Sequence, residues 1–517
     1  MSPKKEDEGA LEKQYRFTPR LWDASRLEDF VRSILGDRKI IVMANREPYQ
    51  HKRVGGELQY FKPAGGVVTA LDPVLRAVGG VWVGHGSGGA DKMASDEKGR
   101  VEVPPKDPRY LLRRIFLSKE EEKGYYFGFS NEALWPLCHV AYIRPRFRWS
   151  DWKTYEAVNR KFAEAALEEV GDDSALVMVQ DYHLALVPKF LKEARPDLGV
   201  VHFWHIPWPN AEVFRICPWR REIFEGLMGN DLLAFHLQYY CLQFLESIES
   251  EMQVRVDREH QCIFHGDQVT YVRPFPIGMD AVNVSNLADS EKVRKEEERL
   301  RIEHHLTAEV LAVGVDRLDY TKGIPERLQA IDRFLELHPE WHGRFQYIGA
   351  AAPSRTHIRE YQDLADTVED LVRDINWRYG SDQWQPVVVL NETIGPETAV
   401  ALYRMGRICL VTSLQDGMNL VAKEYVASQG ADPGVLILSC FAGAARDLPD
   451  ALIVNPYDIE GMAHSIHEAI EMPEEERRVR MERMRTQVFQ RNVYDWARRL
   501  FDAGVKRVEG SVPVYFP

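Results

Sequence analysis

The 517-residue sequence has only six cysteines, at positions 138, 217, 241, 262, 409 and 440, and none forms a C-x-x-C pair. Positions 409 and 440 fall inside apolar runs that read as strands. A disulfide framework and a cysteine-ligated zinc site are therefore excluded, and reduced, buried thiols in a cytosol fit best. No apolar run approaches the roughly 20 residues that cross a bilayer, so neither a membrane span nor a membrane partner is expected. Positive charge is in deficit, with 66 Lys and Arg against 79 Asp and Glu and a net charge of -13. That balance argues against nucleic acid as a partner, while a local Arg/Lys cluster can still hold one phosphorylated ligand. The opening residues MSPKKEDEGALE lack the apolar core of a secretory signal and read as a disordered lead-in to a cytoplasmic protein.

What recurs instead is a short Val/Ile/Leu/Phe run followed by a longer stretch of helical periodicity. That is the pattern of an α/β protein whose parallel sheets are covered on both faces. Strands are expected at 39–44, 81–84, 175–180, 200–205, 232–235 and 270–276, and the series restarts at 310–315, 345–350, 387–390, 408–412, 435–439 and 452–455. The length exceeds one ordinary core, and the restart marks a second domain. The boundary falls near residue 280, where proline and glycine end a strand ahead of the charged helical stretch 290–305. The expected division is an extension at 1–38 with a helix at 24–35, domains at 39–280 and 281–495, and a tail at 496–517 that packs back on the first domain. The stretch 474–508 keeps helical spacing throughout, and the tail segments are available for homo-oligomer assembly.

Charge and position single out Arg317 and Lys322, which lie just beyond a strand at the edge where open α/β sheets bind ligands. Cations are what a departing diphosphate needs. The ordinary alternative is a surface pairing of these two with Asp316 and Asp319. The segment Asp416, Gly417, Met418, Asn419, Leu420 to Glu424 follows another strand, with a helix start near Asn419 whose free amides suit phosphate or sugar oxygens. Glu424, one turn inside, is placed to accept both ribose hydroxyls. The ordinary alternative is a plain helix entry capped by Asp416.

In the first domain, Asp181 and His205 each close a strand, the former suited to accept from substrate hydroxyls and the latter to bond a donor sugar. Arg46 follows the first strand and converges with the glycine-rich helix start at Gly65 and Gly66 on an anion site. Gly55 and Gly56 read as the hairpin turn between these pieces. Arg355 can reach the same phosphate across the cleft, and Tyr126 and Trp135 offer faces that stack on sugar rings. A zinc reading of His183, His202 and His205 lacks a carboxylate or cysteine at ligand spacing, and H-E-x-x-H is absent, so no metal is expected. Residues 84–89 match G-x-G-x-x-G, but the following 90–99 are polar and lack the apolar helix a dinucleotide site requires.

Taken in order, these segments resemble the trehalose-6-phosphate synthase family, from about residue 39 to 495. The matching stretches are Asn45-Arg46, Gly65-Gly66, Phe129-Ser130-Asn131 through Leu134-Trp135-Pro136, Asp181 to Leu184, His205-Ile206-Pro207, Arg317 to Gly323, Ser354-Arg355, Asp416 to Tyr425 and Phe441 to Ala445. The resemblance implies a GT-B fold, two Rossmann-like domains with parallel sheets facing across a cleft. It implies retaining transfer of glucose from a nucleoside-diphosphate glucose, UDP-glucose above all, to glucose 6-phosphate, giving α,α-trehalose 6-phosphate. Gly66, His205, Arg317, Lys322, Asp416 to Leu420 and Glu424 would bind the donor. Arg46, His85, Tyr126, Trp135, Asp181 and Arg355 would bind the acceptor. Asp181, His205, Arg317, Lys322 and Asp416 would carry catalysis, by front-face attack with neither metal nor cofactor.

The sequence departs from the family at His85, where a tryptophan is common, and at Gln415, where many members carry arginine. The first departure keeps a sibling synthase acting on glycerol 3-phosphate or an aminocyclitol phosphate in view. A non-catalytic sugar-phosphate sensor is the reading from a different class, and the retained donor cations count against it. The Asp-x-Asp-x-Thr signature of the phosphatase that often accompanies these synthases is absent, so a separate phosphatase is expected downstream.

Overall fold

The computed structural model describes residues 21–63 and 65–508. The expected lead-in at 1–12 and the last part of the tail, 509–517, lie outside the described residues. A first sheet contains β1 (Lys39–Arg46), β4 (Val81–His85), β5 (Arg100–Val103), β6 (Tyr110–Ile115), β7 (Ala175–Gln180), β8 (Gly199–Phe203), β9 (Leu232–Phe235), β10 (Arg255–Asp257), β11 (Cys262–His265) and β12 (Gln268–Pro274). Its order is β10-β11-β12-β9-β8-β7-β1-β4-β6-β5, parallel from β12 to β6 with antiparallel edges. A separate hairpin pairs β2 (Gln50–Val54) with β3 (Glu57–Phe61) through Gly55 and Gly56, both at positive φ, 60° and 89°. The second sheet is wholly parallel, ordered β15-β14-β13-β16-β17-β18. Its strands are β13 (Val310–Arg317), β14 (Phe345–Ala352), β15 (Val387–Leu390), β16 (Ile408–Val411), β17 (Val435–Ser439) and β18 (Leu452–Val454).

Strands such as β7 (ALVMVQ) and β17 (VLILS) are buried at every position, which is why they read as unbroken apolar runs rather than alternating ones. Each sheet has one point where the direction of winding reverses. In the first it lies between β1 and β7, in the second between β13 and β16. Crevices open at the carboxyl ends of strands there. Arg46 ends β1, Asp181 follows β7, Arg317 ends β13 and Asp416 follows β16, so both reversals carry residues singled out from the sequence.

The helix Ala24–Leu35 starts where Asp23 accepts from the Arg26 amide at 2.9 Å, and buries Leu27, Val31 and Leu35 on one stripe. At the other end of the chain, the helical run expected over 474–508 is broken. Glu474–Gln490 stops, and a second helix, Val493–Val508, begins after Asn492, whose Oδ1 accepts from the Tyr494 and Asp495 amides at 3.0 and 3.1 Å. An Asx side chain offering this alternative to the helical ladder is the physical reason for the break. The second helix buries Trp496, Leu500 and Phe501 against the first sheet, close enough that a Cβ on Gly504 would lie 2.9 Å from Val201. It starts at 493 rather than 496, so the tail opens earlier than the sequence suggested.

One apolar core runs from Leu27 through Phe275, Ile277 and Met279 to the second sheet, joining both halves. Among the described residues no helix is long and apolar enough to cross a membrane. Five cysteines are buried and free. Cys440 is exposed one residue beyond β17, contrary to the expectation of a buried thiol, because the strand ends at Ser439.

Candidate functional site

On the second sheet's side the local pairing expected for ordinary surface charges does not occur. Asp316 accepts from Arg327 at 2.6 Å, and the buried Asp319 accepts from Arg355 at 3.0 Å. Lys322 instead reaches 94 residues along the chain to Asp416, at 2.6 Å. Among the described residues the Arg317 side chain makes no ion pair or hydrogen bond, and its guanidinium lies 5.7 Å from the Trp135 ring of the other half. Burial raises the Asp319 carboxyl, but Arg355, Arg317 and Lys322 outweigh it and bring the group down to about 2. Asp416, which also accepts from Asn419 at 3.2 Å and Ser413 at 3.3 Å, is lowered too, with Lys322 overcoming the cost of burial.

The cap of the helix Leu420–Ser428 is Asn419, at φ 79°, with its Oδ1 accepting the Ala422 amide at 3.0 Å. Asp416 is therefore free of the capping role that the plain reading gave it. Gly417 is needed for proximity rather than for an unusual φ: a Cβ there would lie 2.1 Å from the His205 carbonyl oxygen. Gly443 does the same for the neighbouring loop, where a Cβ would lie 2.1 Å from the Gly417 oxygen. Met418 is buried, and a Cβ on Gly66, at the start of helix Gly66–Val78, would lie 3.5 Å from Leu420. Glu424 is half-buried, pushed up to about 7 by burial, and one oxygen already accepts from Tyr403 at 3.0 Å. Its full bidentate capacity is thus partly engaged by the protein itself.

On the first sheet's side Arg46 donates to the Tyr126 hydroxyl at 3.2 Å, and Tyr126 stacks on His183 at 5.8 Å with the planes 12° apart. Burial would raise the Tyr126 phenol, yet Arg46, Arg355 and Arg317 bring it down to about 7. Tyr126 lies in a π-helical stretch, Lys123–Leu134, that presses Gly124 and Gly128 against the helix Trp149–Val170. A π-helix of this length carries no signature that periodicity can reveal, although such widened turns often mark functional sites. Trp135 begins the next short helix, with Arg355 4.1 Å from its ring centroid and the His139 ring at 4.0 Å. Its indole N–H is buried without a partner among the described residues. Arg355, at φ 48°, also bonds the Tyr361 hydroxyl, so the residue expected to span the cleft is buried, anchored on its own side and laid on Trp135.

Asp181, at φ 70°, accepts the His205 amide at 3.1 Å. Burial pushes it up to about 7 against the pull of nearby amides, Arg355 and Arg317. The His205 Nε2 meets Gln180 Oε1 at 2.9 Å, and the His202 Nε2 meets the Asp181 carbonyl at 3.0 Å. Both nitrogens are thus turned onto oxygens rather than toward a shared centre. A different trio, His338, Glu340 and His467, brings its ligand atoms within 4.8 Å of one another on the far side of the second sheet. The two imidazoles stack at 4.0 Å with planes 9° apart, so their in-plane lone pairs do not converge on one point.

The glycine-rich 84–89 loop is spent on internal bonds. The Ser87 amide donates to Glu47 at 2.8 Å and the Gly88 amide to Asp91 at 2.5 Å, and no helix follows. Glu47, Asp91 and the buried Arg114, 2.6 Å from Glu47, form a cluster that sequence reading missed, since Glu47 and Arg114 lie 67 residues apart. His85 is buried beside Arg46 in the strand register and lowered to about 4 by burial, hence neutral.

The family model for glycosyltransferase family 20 matches residues 38–504. The UDP-forming alpha,alpha-trehalose-phosphate synthase of Schizosaccharomyces pombe is 36% identical over 462 residues, covering 88% of this chain and 88% of that protein. A solved E. coli structure bound with UDP-2-fluoro glucose superposes at TM-score 0.80 and 30% identity, over 90% of this chain and 99% of that one. A UDP-forming alpha,alpha-trehalose-phosphate synthase from Burkholderia xenovorans, in complex with glucose-6-phosphate, superposes at TM-score 0.79 and 31% identity, over 89% and 98%.

Proposed function

This chain belongs to glycosyltransferase family 20, and on that premise we propose that it transfers glucose from UDP-glucose to glucose 6-phosphate with retention, releasing UDP and α,α-trehalose 6-phosphate. The observation that carries the reading is the meeting of two charge sets across the cleft. Lys322, Asp416 and the helix start at Asn419 face His205 and Gly66, while Arg46 and Tyr126 face Arg355, with the donor-side Arg317 close enough to act on Tyr126. The similar proteins solved with a UDP-sugar analogue and with glucose-6-phosphate support one substrate for each set.

In the proposed reaction Arg317 and Lys322 take the charge that develops on the departing diphosphate. Lys322 must exchange Asp416 for the phosphate, which frees the Asp416 carboxylate to join the Gly417 to Leu420 amides and His205 at the transferred sugar. Glu424 takes the ribose. Arg46, Tyr126 and Arg355 hold the acceptor phosphate, Trp135 and Asp181 its sugar, and the buried His85 backs Arg46. The acceptor hydroxyl attacks the anomeric carbon as the bond to the diphosphate breaks, and its proton passes to the leaving phosphate oxygen. No protein nucleophile is required, so positioning and charge stabilisation supply the rate. UDP-glucose is a substrate rather than a cofactor. We place the reaction in the cytosol, with a separate phosphatase acting on the product.

The test is a donor-by-acceptor grid on the purified protein. UDP release with UDP-glucose and glucose 6-phosphate, and a product with the α,α configuration by NMR, is the expected result. Release only with glycerol 3-phosphate or an aminocyclitol phosphate overturns the acceptor, and binding of both substrates without release overturns the reaction.

A further inference from the structure

Lys423 neighbours Glu424 in the helix Leu420–Ser428, yet successive helical residues point about 100° apart, and Lys423 turns away from the cleft. It is 2% exposed, and its ammonium donates to the Ile277 carbonyl at 2.8 Å and to Asp447 at 2.7 Å. Ile277 lies in the segment that leaves β12 for the second half of the chain. Asp447 follows the turn Gly443–Arg446, whose Gly443 and Ala444 amides bond the Asp416 and Met418 carbonyls at 3.1 and 2.7 Å. Asp447 in turn accepts from Arg491 at 3.3 Å, in the segment where the chain crosses back to the first sheet. The buried Lys423–Asp447 pair thus links the donor helix, the loop that props Asp416, and both crossings.

The two crossings are themselves in contact. A Cβ on Gly278 would lie 2.2 Å from the Arg491 oxygen, the Val493 amide donates to Met279 at 3.1 Å, and the Tyr494 hydroxyl donates to Asp280 at 3.0 Å. Burial lowers the Lys423 ammonium's pKa while Asp447 holds it up. A buried ion pair of this kind is a poor source of stability compared with apolar packing, and its best-attested use is to fix one arrangement of the segments it joins.

We propose that Lys423 is a positioning residue that pins the donor helix to the paired crossings, so that donor binding and the relative placement of the two sheets are coupled. This rests on the assignment of the Asp416 to Glu424 segment to the donor. Calorimetry with UDP and with glucose 6-phosphate, on wild type and Lys423→Met, tests it. UDP affinity is expected to fall about tenfold or more, a loss of about 1.4 kcal/mol, with glucose 6-phosphate affinity changed less than about twofold. Hydrogen exchange should show UDP-dependent protection of residues 275–280 in wild type and none in the variant. Asp447→Asn, which keeps an acceptor oxygen for Lys423 and removes only the charge, should shift UDP affinity in the same direction by less, and serves if Lys423→Met does not fold. Unchanged UDP affinity, or equal losses for both ligands, overturns the proposal, because a purely structural role predicts a lower melting temperature without selectivity. Wild type that binds UDP but does not turn over would sink the reaction and leave this test intact.

Discussion

On the proposed donor side of the cleft Lys322 is held by Asp416 at 2.6 Å and Glu424 by Tyr403 at 3.0 Å, so these two groups are already engaged within the protein, whereas the Arg317 guanidinium is not. On the proposed acceptor side Arg46 and Arg355, helped by Arg317 from the donor side, act on Tyr126 strongly enough to reverse the effect of its burial. Lys322 must therefore give up its carboxylate partner to bind, while the positive field on Tyr126 stands even though Arg355 keeps its own pair with Asp319 at 3.0 Å. A diphosphate that gains charge only as its bond breaks suits the first arrangement, since Lys322 is then rewarded most in the transition state. A phosphate that is fully charged from the start suits the second.

The largest expected effect breaks the donor side. Lys322→Ala should lower turnover by two or more orders of magnitude, about 2.7 kcal/mol of lost charge stabilisation, with the acceptor KM little changed. Steady-state UDP release measures this, and near-normal turnover would remove Lys322 from its role. Next comes the acceptor side, where Arg46→Ala should raise the glucose 6-phosphate KM by about 10 to 100-fold, the range for one charged hydrogen bond, and leave the UDP-glucose KM near wild type. A parallel rise in both would show that the two charge sets are not separate. Gly417→Ala bears on the seam between them. Its Cβ would meet the His205 oxygen at 2.1 Å, so the halves must part. We expect kcat/KM for both substrates to fall together, by about tenfold, and an unequal fall would place the contact on one side only.

Much of this architecture is legible in sequence because strands buried on both faces leave unbroken apolar runs, and the residues at their ends follow directly. Arg46, Asp181, Arg317 and Asp416 were found that way. What stayed hidden depends on partners distant in sequence. Nothing near Lys322 announces Asp416, and nothing near Arg355 announces Trp135, on whose ring it lies. The break at Asn492 was hidden for a different reason: the residues around it keep helical spacing, and only the turn onto the first sheet favours the side-chain cap over the ladder. The role of Gly417 was hidden because a close approach across the cleft leaves no local trace.

The smallest expected effect concerns Tyr126, and its sign follows from the field around it. Three guanidinium groups bring the phenol down to about 7, so above that pH it carries a negative charge 3.2 Å from the Arg46 donor. That phenolate competes with the acceptor phosphate for Arg46 and repels it. A sugar phosphate completes its own ionisation with a pKa of about 6, so over pH 7 to 9 the ligand is constant and the protein alone titrates. The glucose 6-phosphate KM should therefore rise severalfold across that range in wild type. Tyr126→Phe loses one hydrogen bond, worth about 0.5–1.5 kcal/mol, and should start from a higher KM but lose most of the rise, what remains coming from Asp181, whose carboxyl also lies at about 7. Because a bound phosphate also opposes formation of the phenolate, kcat/KM should fall from about pH 7 while kcat stays level to a higher pH. An undiminished slope in Tyr126→Phe would assign the titration to another group, Asp181 first, and remove Tyr126 from the contrast between the two sides.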